Sequence, residues 1–136
     1  MSQTRLNIQG KTLVFSAGVE AGTGLALMID PALVTMLLLG VEVRSAGMLL
    51  GRCFGIALLG LGLACWPRRQ HADSSPPAVR AMLTYNALIA LYLAYLGAVG
   101  NLWGVLLWPG VVLHAAIAML LVLTWHEGLR SKTTSN

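Results

Sequence analysis

The sequence predicts an all-α integral membrane protein, a four-helix transmembrane bundle with a short interfacial helix at its outer face. Three observations predict it. Of 136 residues, 57% are hydrophobic and only 10% charged, whereas ordinary soluble domains carry about 25% charged residues. Too few charges are present to cover that apolar mass in water, so the bilayer is the expected solvent. Four separate apolar stretches are each long enough to cross a ~30 Å hydrocarbon core, which takes about 17–25 helical residues. The basic residues fall between those stretches with a strong bias to one side. The length suits a single transmembrane domain over residues 1–136.

The first span is expected at Thr12–Ile29. Arg5 and Lys11 before an apolar run resemble the start of a signal peptide. However, Glu20 interrupts the run and no small-x-small cleavage site follows, which predicts a retained helix. Next, Asp30-Pro31 reads as an N-cap with proline at the first helical position, and Gly40 reads as a C-terminal stop. The nine residues between them are too few to span, so Asp30–Gly40 predicts an outer-face helix, interfacial or re-entrant. One unbroken helix through Leu39 would run to 28 residues, too long without steep tilt. The second span is placed at Ser45–Trp66, the third at Arg80–Gly100 and the fourth at Gly104–Trp125. Between spans two and three, Pro67–Val79 is a polar linker with Pro76-Pro77, and the tail after Glu127 is expected to fray.

Topology follows from the bases. Arg5, Lys11, Arg68, Arg69, Arg80, Arg130 and Lys132 fall on one side and only Arg44 on the other, a positive-inside pattern with both termini cytoplasmic. Trp66 and Trp125 then mark the inner interface, and Trp103 and Trp108 the outer one. The expected location is the bacterial inner membrane. A net charge of +4 does not indicate nucleic acid, because the bases are topology signals spread along the chain rather than a folded patch. Cys53 and Cys65, twelve residues apart on one helix, are separated by roughly 18 Å and cannot pair within the chain. Both read as small buried apolar residues.

Gly47, Gly51 and Gly55 form a tandem small-xxx-small ridge on span two. Gly18 and Gly22 on span one, with Ala17 and Ala21 beside them, are candidates for the facing surface. The ridge fits packing within one chain, with a homodimer as the other arrangement. On span three, Tyr85, Leu88, Tyr92 and Tyr95 follow heptad-like spacing and read as a packing face, with Tyr92 kept as a ligand candidate.

The polar residues inside the spans carry the functional expectation. Glu20 lies midway along span one, with Ser16 and Thr23 on the same face. Arg52 lies about four residues, roughly 5 Å, outward of the middle of span two. His114 lies near the middle of span four, with Gly110 and Ala118 leaving space around it, and Asn86 lies somewhat inward on span three. A lone charge in hydrocarbon costs about 2.5–3.5 kcal/mol on insertion scales. Arg52 cannot shed its charge and Glu20 is the sole acid within a span, so a buried Glu20–Arg52 ion pair is expected, with His114 sharing the network. Such a cluster is either a clasp that fixes helix register or a pocket for an anionic or lipophilic ligand. Histidine, which titrates near neutrality, also suits a proton relay. No cofactor is implied: His71 and His126 lie outside mid-membrane, so no second histidine completes a haem axial pair. One histidine and one acid also fall short of a zinc site.

Val19-Glu20-Ala21-Gly22-Thr23 is similar to the Glu-x-x-Gly-Thr stretch in the first helix of the small multidrug resistance transporters, with one residue fewer between glutamate and glycine. In that family the glutamate exchanges protons for cationic drugs, so the resemblance implies that role for Glu20. It covers five residues. The later spans lack the family's aromatic-glycine pattern, and Arg52 would repel cations. The reading adopted is a non-enzymatic accessory subunit, or a lipophilic or anionic ligand-binding protein, built around Glu20, Arg52 and His114. Its partners would be the lipid bilayer, a bound lipid or small lipophilic ligand, and a second copy or a larger membrane complex. The alternative is a proton-coupled small-molecule transporter. A membrane enzyme with His114 as base ranks third, because no nucleophile–base pair stands out.

Overall fold

A computed structural model of the chain describes residues 3–66 and 76–133, with side chains described for 8–66 and 76–125. The expected inner linker therefore lies mostly outside the described residues, with Arg68, Arg69, His71 and Asp73. So do the side chains of Arg5, Arg130 and Lys132. Five helices follow in chain order: α1 Gln3–Ile29, α2 Pro31–Leu39, α3 Ser45–Ala64, α4 Pro76–Ala98 and α5 Leu107–Thr133. Four are long and apolar enough to cross a membrane, over Ile8–Ile29, Ser45–Ala64, Pro76–Ala98 and Leu107–Trp125.

The expected short helix is α2, and local chemistry builds it. The Asp30 carboxylate accepts from the Leu33 backbone N–H at 3.0 Å, and Pro31 fills the first helical position, where a missing N–H costs nothing. Asp30 also donates its own N–H to Ala26 O at 2.9 Å. One residue thus closes α1 and opens α2. Gly40 ends α2 in the left-handed region at φ 72°, its N–H bonded to Met36 O at 2.9 Å.

The other helix ends differ from expectation. α1 begins at Gln3 rather than Thr12, because nothing before Thr12 breaks a helix. α4 takes in Pro76 and Pro77, since prolines are tolerated in a first turn. α5 starts three residues after Gly104. There the backbone crosses α2, with Leu106 N–H donating to Leu37 O at 2.8 Å and Gly104 pressed against the Leu38 backbone. The segment after Glu127, expected to fray, continues as helix to Thr133.

The packing is not a square bundle. α1 is the hub: α3 lies along one side of it, while α4 and α5 pair with each other and close on another side. α3 packs almost entirely on α1 and meets α4 at its last turn, where Cys65 Sγ lies 3.8 Å from Ala78 O. Leu13, Ala17, Met82, Ile117 and Leu121 fill the core where α1, α4 and α5 converge.

The glycine expectations hold in part. A Cβ on Gly55 would stand 2.6 Å from Gly24 O, and one on Gly51 would stand 2.7 Å from Pro31 Cβ, so both are packed. Gly47 meets only Val43 of its own chain segment. The facing surface is not Gly18 and Gly22, which have nothing within 4 Å. It is Ala17, Ala21 and Gly24, with Gly62 of α3 backing onto Ala17 O. Backbone contact of this closeness is how helices associate where lipid removes the hydrophobic drive between them. Cys65 is buried as expected, but Cys53 is exposed on α3.

Candidate functional site

The buried polar groups converge where three helices meet. α1 brings Ser16 and Glu20, one turn apart on the same face. α4 brings Met82 and Asn86 from its buried stripe and the half-buried Tyr85 beside them, and α5 brings His114. Asn86 is the hub of the network, fully buried, and its geometry fixes the direction of each bond. Its Nδ2 donates to Met82 O at 2.8 Å and to Ser16 Oγ at 3.1 Å. A carbonyl oxygen can only accept, so the amide cannot be turned around, and Oδ1 must be the group facing His114 Nδ1 at 2.8 Å. Two acceptors would repel, so His114 Nδ1 carries a proton and donates it. Ser16 Oγ, accepting from Asn86, turns its own hydrogen toward Met82 Sδ at 3.5 Å.

Glu20 sits at the edge of this network and is 1% exposed. Its Oε1 lies 3.8 Å from His114 Nδ1, at the limit of an ion pair and beyond a hydrogen bond. That oxygen is buried and has no hydrogen-bond partner. The Tyr85 hydroxyl is the hydrogen-bonding neighbour of the carboxyl group, while the Tyr85 ring meets the His114 imidazole edge to face, centroids 6.0 Å apart. One orphaned carboxylate oxygen therefore stands beside an imidazole N–H already engaged elsewhere. A small turn of His114 would move that hydrogen from Asn86 Oδ1 to Glu20 Oε1.

Three of the expected site residues, Glu20, Asn86 and His114, are thus brought together. Arg52 is not. It is exposed on α3 and makes no ion pair with any described residue, so the expected Glu20–Arg52 pair is absent. The physical reason is rotational: depth allowed the contact, but α3 turns its Gly55–Gly62 face toward α1 and Arg52 away from it. Tyr92, with 58% exposure, also lies outside the cluster, as do Leu88 and Tyr95, which breaks the expected tyrosine stripe. Thr23 is only half-buried and takes no part in the described hydrogen bonds. The space expected beside Gly110 is filled by Leu38 and Leu93 side chains, each 3.5 Å from where a Cβ would stand.

Sequence reasoning gave Tyr85 a packing role and passed over Met82. The signal was available: Val79, Met82, Asn86, Ala90, Leu93 and Gly97 recur at three- and four-residue steps and are the buried stripe of α4. Comparison with known proteins finds no relative: no family model, curated protein or solved structure matches the chain.

Proposed function

We propose that this chain is a non-enzymatic accessory subunit of a larger membrane complex, with both termini on the cytoplasmic side of a bacterial inner membrane. The observation that carries this reading is the enclosure of the polar cluster. Glu20, Ser16 and Asn86 are buried among α1, α4 and α5, and a group that captures a ligand has to be reachable. Buried, mutually hydrogen-bonded polar groups in a membrane hold helices in register. The Glu20–Asn86–His114 network is then the clasp of a scaffold, and the scaffold acts through its outer faces. The bias of the basic residues supports the orientation. Mild-detergent extraction of the chain at its natural abundance, followed by native electrophoresis and mass spectrometry, tests the reading. The expected species contains other polypeptides and is several times the 14.4 kDa of one chain. A lone chain, a simple homodimer or a chain carrying only lipid would sink it.

One observation favours a second reading, proton-coupled transport of a small molecule. The unpartnered Glu20 Oε1, 3.8 Å from His114 Nδ1, is a place where moving one proton changes the attraction between α1 and α5. In proteoliposomes with an imposed proton gradient, this reading expects uptake of a lipophilic cation such as ethidium that Glu20→Gln abolishes. Absence of gradient-driven uptake by the native chain would dismiss it.

A further inference from the structure

The exposed arginine of α3 poses a separate question. Arg52 is the eighth of the 20 residues of α3, so at 1.5 Å rise its Cα lies about 10 Å from the helix start and about 4 Å from its middle. It faces away from the protein at that depth. An extended arginine side chain reaches about 7 Å from its Cα, from bonds of about 1.5 Å. To touch a lipid phosphate at the nearer surface it would need the bilayer to thin around it.

The neighbours of Arg52 make a helix-packing seam. Leu49, Arg52, Ile56, Gly60 and Leu63 recur at steps of three and four, the spacing that keeps one stripe facing a partner helix. The three apolar side chains of that stripe are exposed. Gly60 has open space where a Cβ would stand, so a neighbouring backbone could approach closely there. Arg52 marks the edge of the stripe nearer the α1 contact, about 60° round from Gly55 at 100° per residue, and Gly60 marks its far edge, about 140° round. A helix docking there would pack on α3, on the side away from α1.

Charge decides the occupant. The chain has five acidic residues, Glu20, Asp30, Glu42, Asp73 and Glu127. Only Glu20 lies inside a candidate span, and it is buried in its own cluster. A second copy packed in parallel therefore offers no carboxylate at the depth of Arg52. We infer that the Leu49–Leu63 stripe of α3 is the docking surface for a transmembrane helix of a different protein, one that presents an aspartate or glutamate opposite Arg52. This rests on the accessory-subunit reading and names the chemistry of the partner. In hydrocarbon an acid and an arginine on separate helices are each costly alone and compatible together, which makes the pair a selective assembly signal.

The test places a photo-crosslinking amino acid at Ile56, on the stripe, and in a second variant at Leu50, exposed about 120° round α3 from it, in the full chain in its native membrane. The expected result is one protein adduct from position 56, mapped to a transmembrane segment with a mid-span acid, and only lipid adducts from position 50. Arg52→Leu should lower that adduct by roughly tenfold or more, the scale of losing a desolvated charge pair, and Arg52→Lys should retain part of it. Because Arg52 is exposed and forms no ion pair with a described residue, R52L should stay folded, which helical circular dichroism and monodispersity check. Exchanging the two charges, R52E with the partner's acid changed to arginine, should restore capture. An adduct with a second copy, with lipid alone, or with a segment lacking an acid would overturn the inference. A complex that persists on native gels and ignores R52L would overturn it while leaving the accessory reading intact; no complex at all would overturn both.

Discussion

Asn86→Ala gives the sharpest test of the polar cluster as a clasp. The side chain makes two bonds between helices, to Ser16 Oγ at 3.1 Å and His114 Nδ1 at 2.8 Å, and one within α4 to Met82 O. Interhelical hydrogen bonds in membrane proteins average about 0.6 kcal/mol and reach about 1.7, so losing two should destabilise by about 1–3 kcal/mol. The lower half of that range is favoured, because His114 Nδ1 can turn its hydrogen to Glu20 Oε1, now 3.8 Å away. Truncation also removes packing, so a double-mutant cycle with Ser16→Ala isolates the bond. The expected coupling is about 0.5–1.5 kcal/mol. The assay is reversible unfolding in mixed micelles with rising dodecyl sulfate, followed by tryptophan fluorescence and helical circular dichroism. A change under about 0.5 kcal/mol for N86A, or a coupling indistinguishable from zero, would refute the clasp.

Four further outcomes are expected. Gly24→Ala and Gly62→Ala should each destabilise by about 1–3 kcal/mol, the usual scale of overpacking, because their Cβ atoms would stand 2.6 Å from Gly55 O and 2.7 Å from Ala17 O. Gly18→Ala and Gly22→Ala, with nothing within 4 Å, should be neutral or stabilising in the same unfolding assay, since alanine favours helix by up to about 1 kcal/mol. Asp30→Ala should cost about 1 kcal/mol through loss of the α2 cap and should speed amide exchange at Leu33; unchanged exchange would count against the cap. For topology, single cysteines at position 72 and near the C-terminus, in a chain without Cys53 and Cys65, should resist a membrane-impermeant maleimide added outside intact cells. Ready labelling of either would reverse the orientation.

What was legible in the sequence was whatever depends on distance along the chain. Span length is a count of apolar residues, and the Asp30-Pro31 cap is chemistry among neighbours: four helices are long and apolar enough to cross a membrane, their ends shifted by up to four residues, and Asp30 caps α2. Rotation about the helix axis was less legible. In water, the hydrophobic face of a helix points inward and the pattern reveals it. In lipid, leucine is equally at home inside and outside, so small residues at Ala17, Gly18, Ala21, Gly22 and Gly24 cover nearly half the circumference of α1 without marking which part of it meets α3. The expected Glu20–Arg52 pair rests on matching depth alone, and depth leaves open which way each side chain points. The angle was computable, because Gly51 and Gly55 pack toward α1 and α2, and Arg52 cannot share the centre of that face. Asn86 and His114 could be placed better, since a polar group on an otherwise apolar stripe has more to gain from facing inward than any leucine does. The premise behind the failed pairing nevertheless survives it. An arginine near the middle of a span still requires an anion, and Glu20 is occupied inside the chain with Tyr85 and His114 beside it. On the proposed docking that anion is the acid of the partner helix, and Arg52, exposed on α3, is turned outward to meet it.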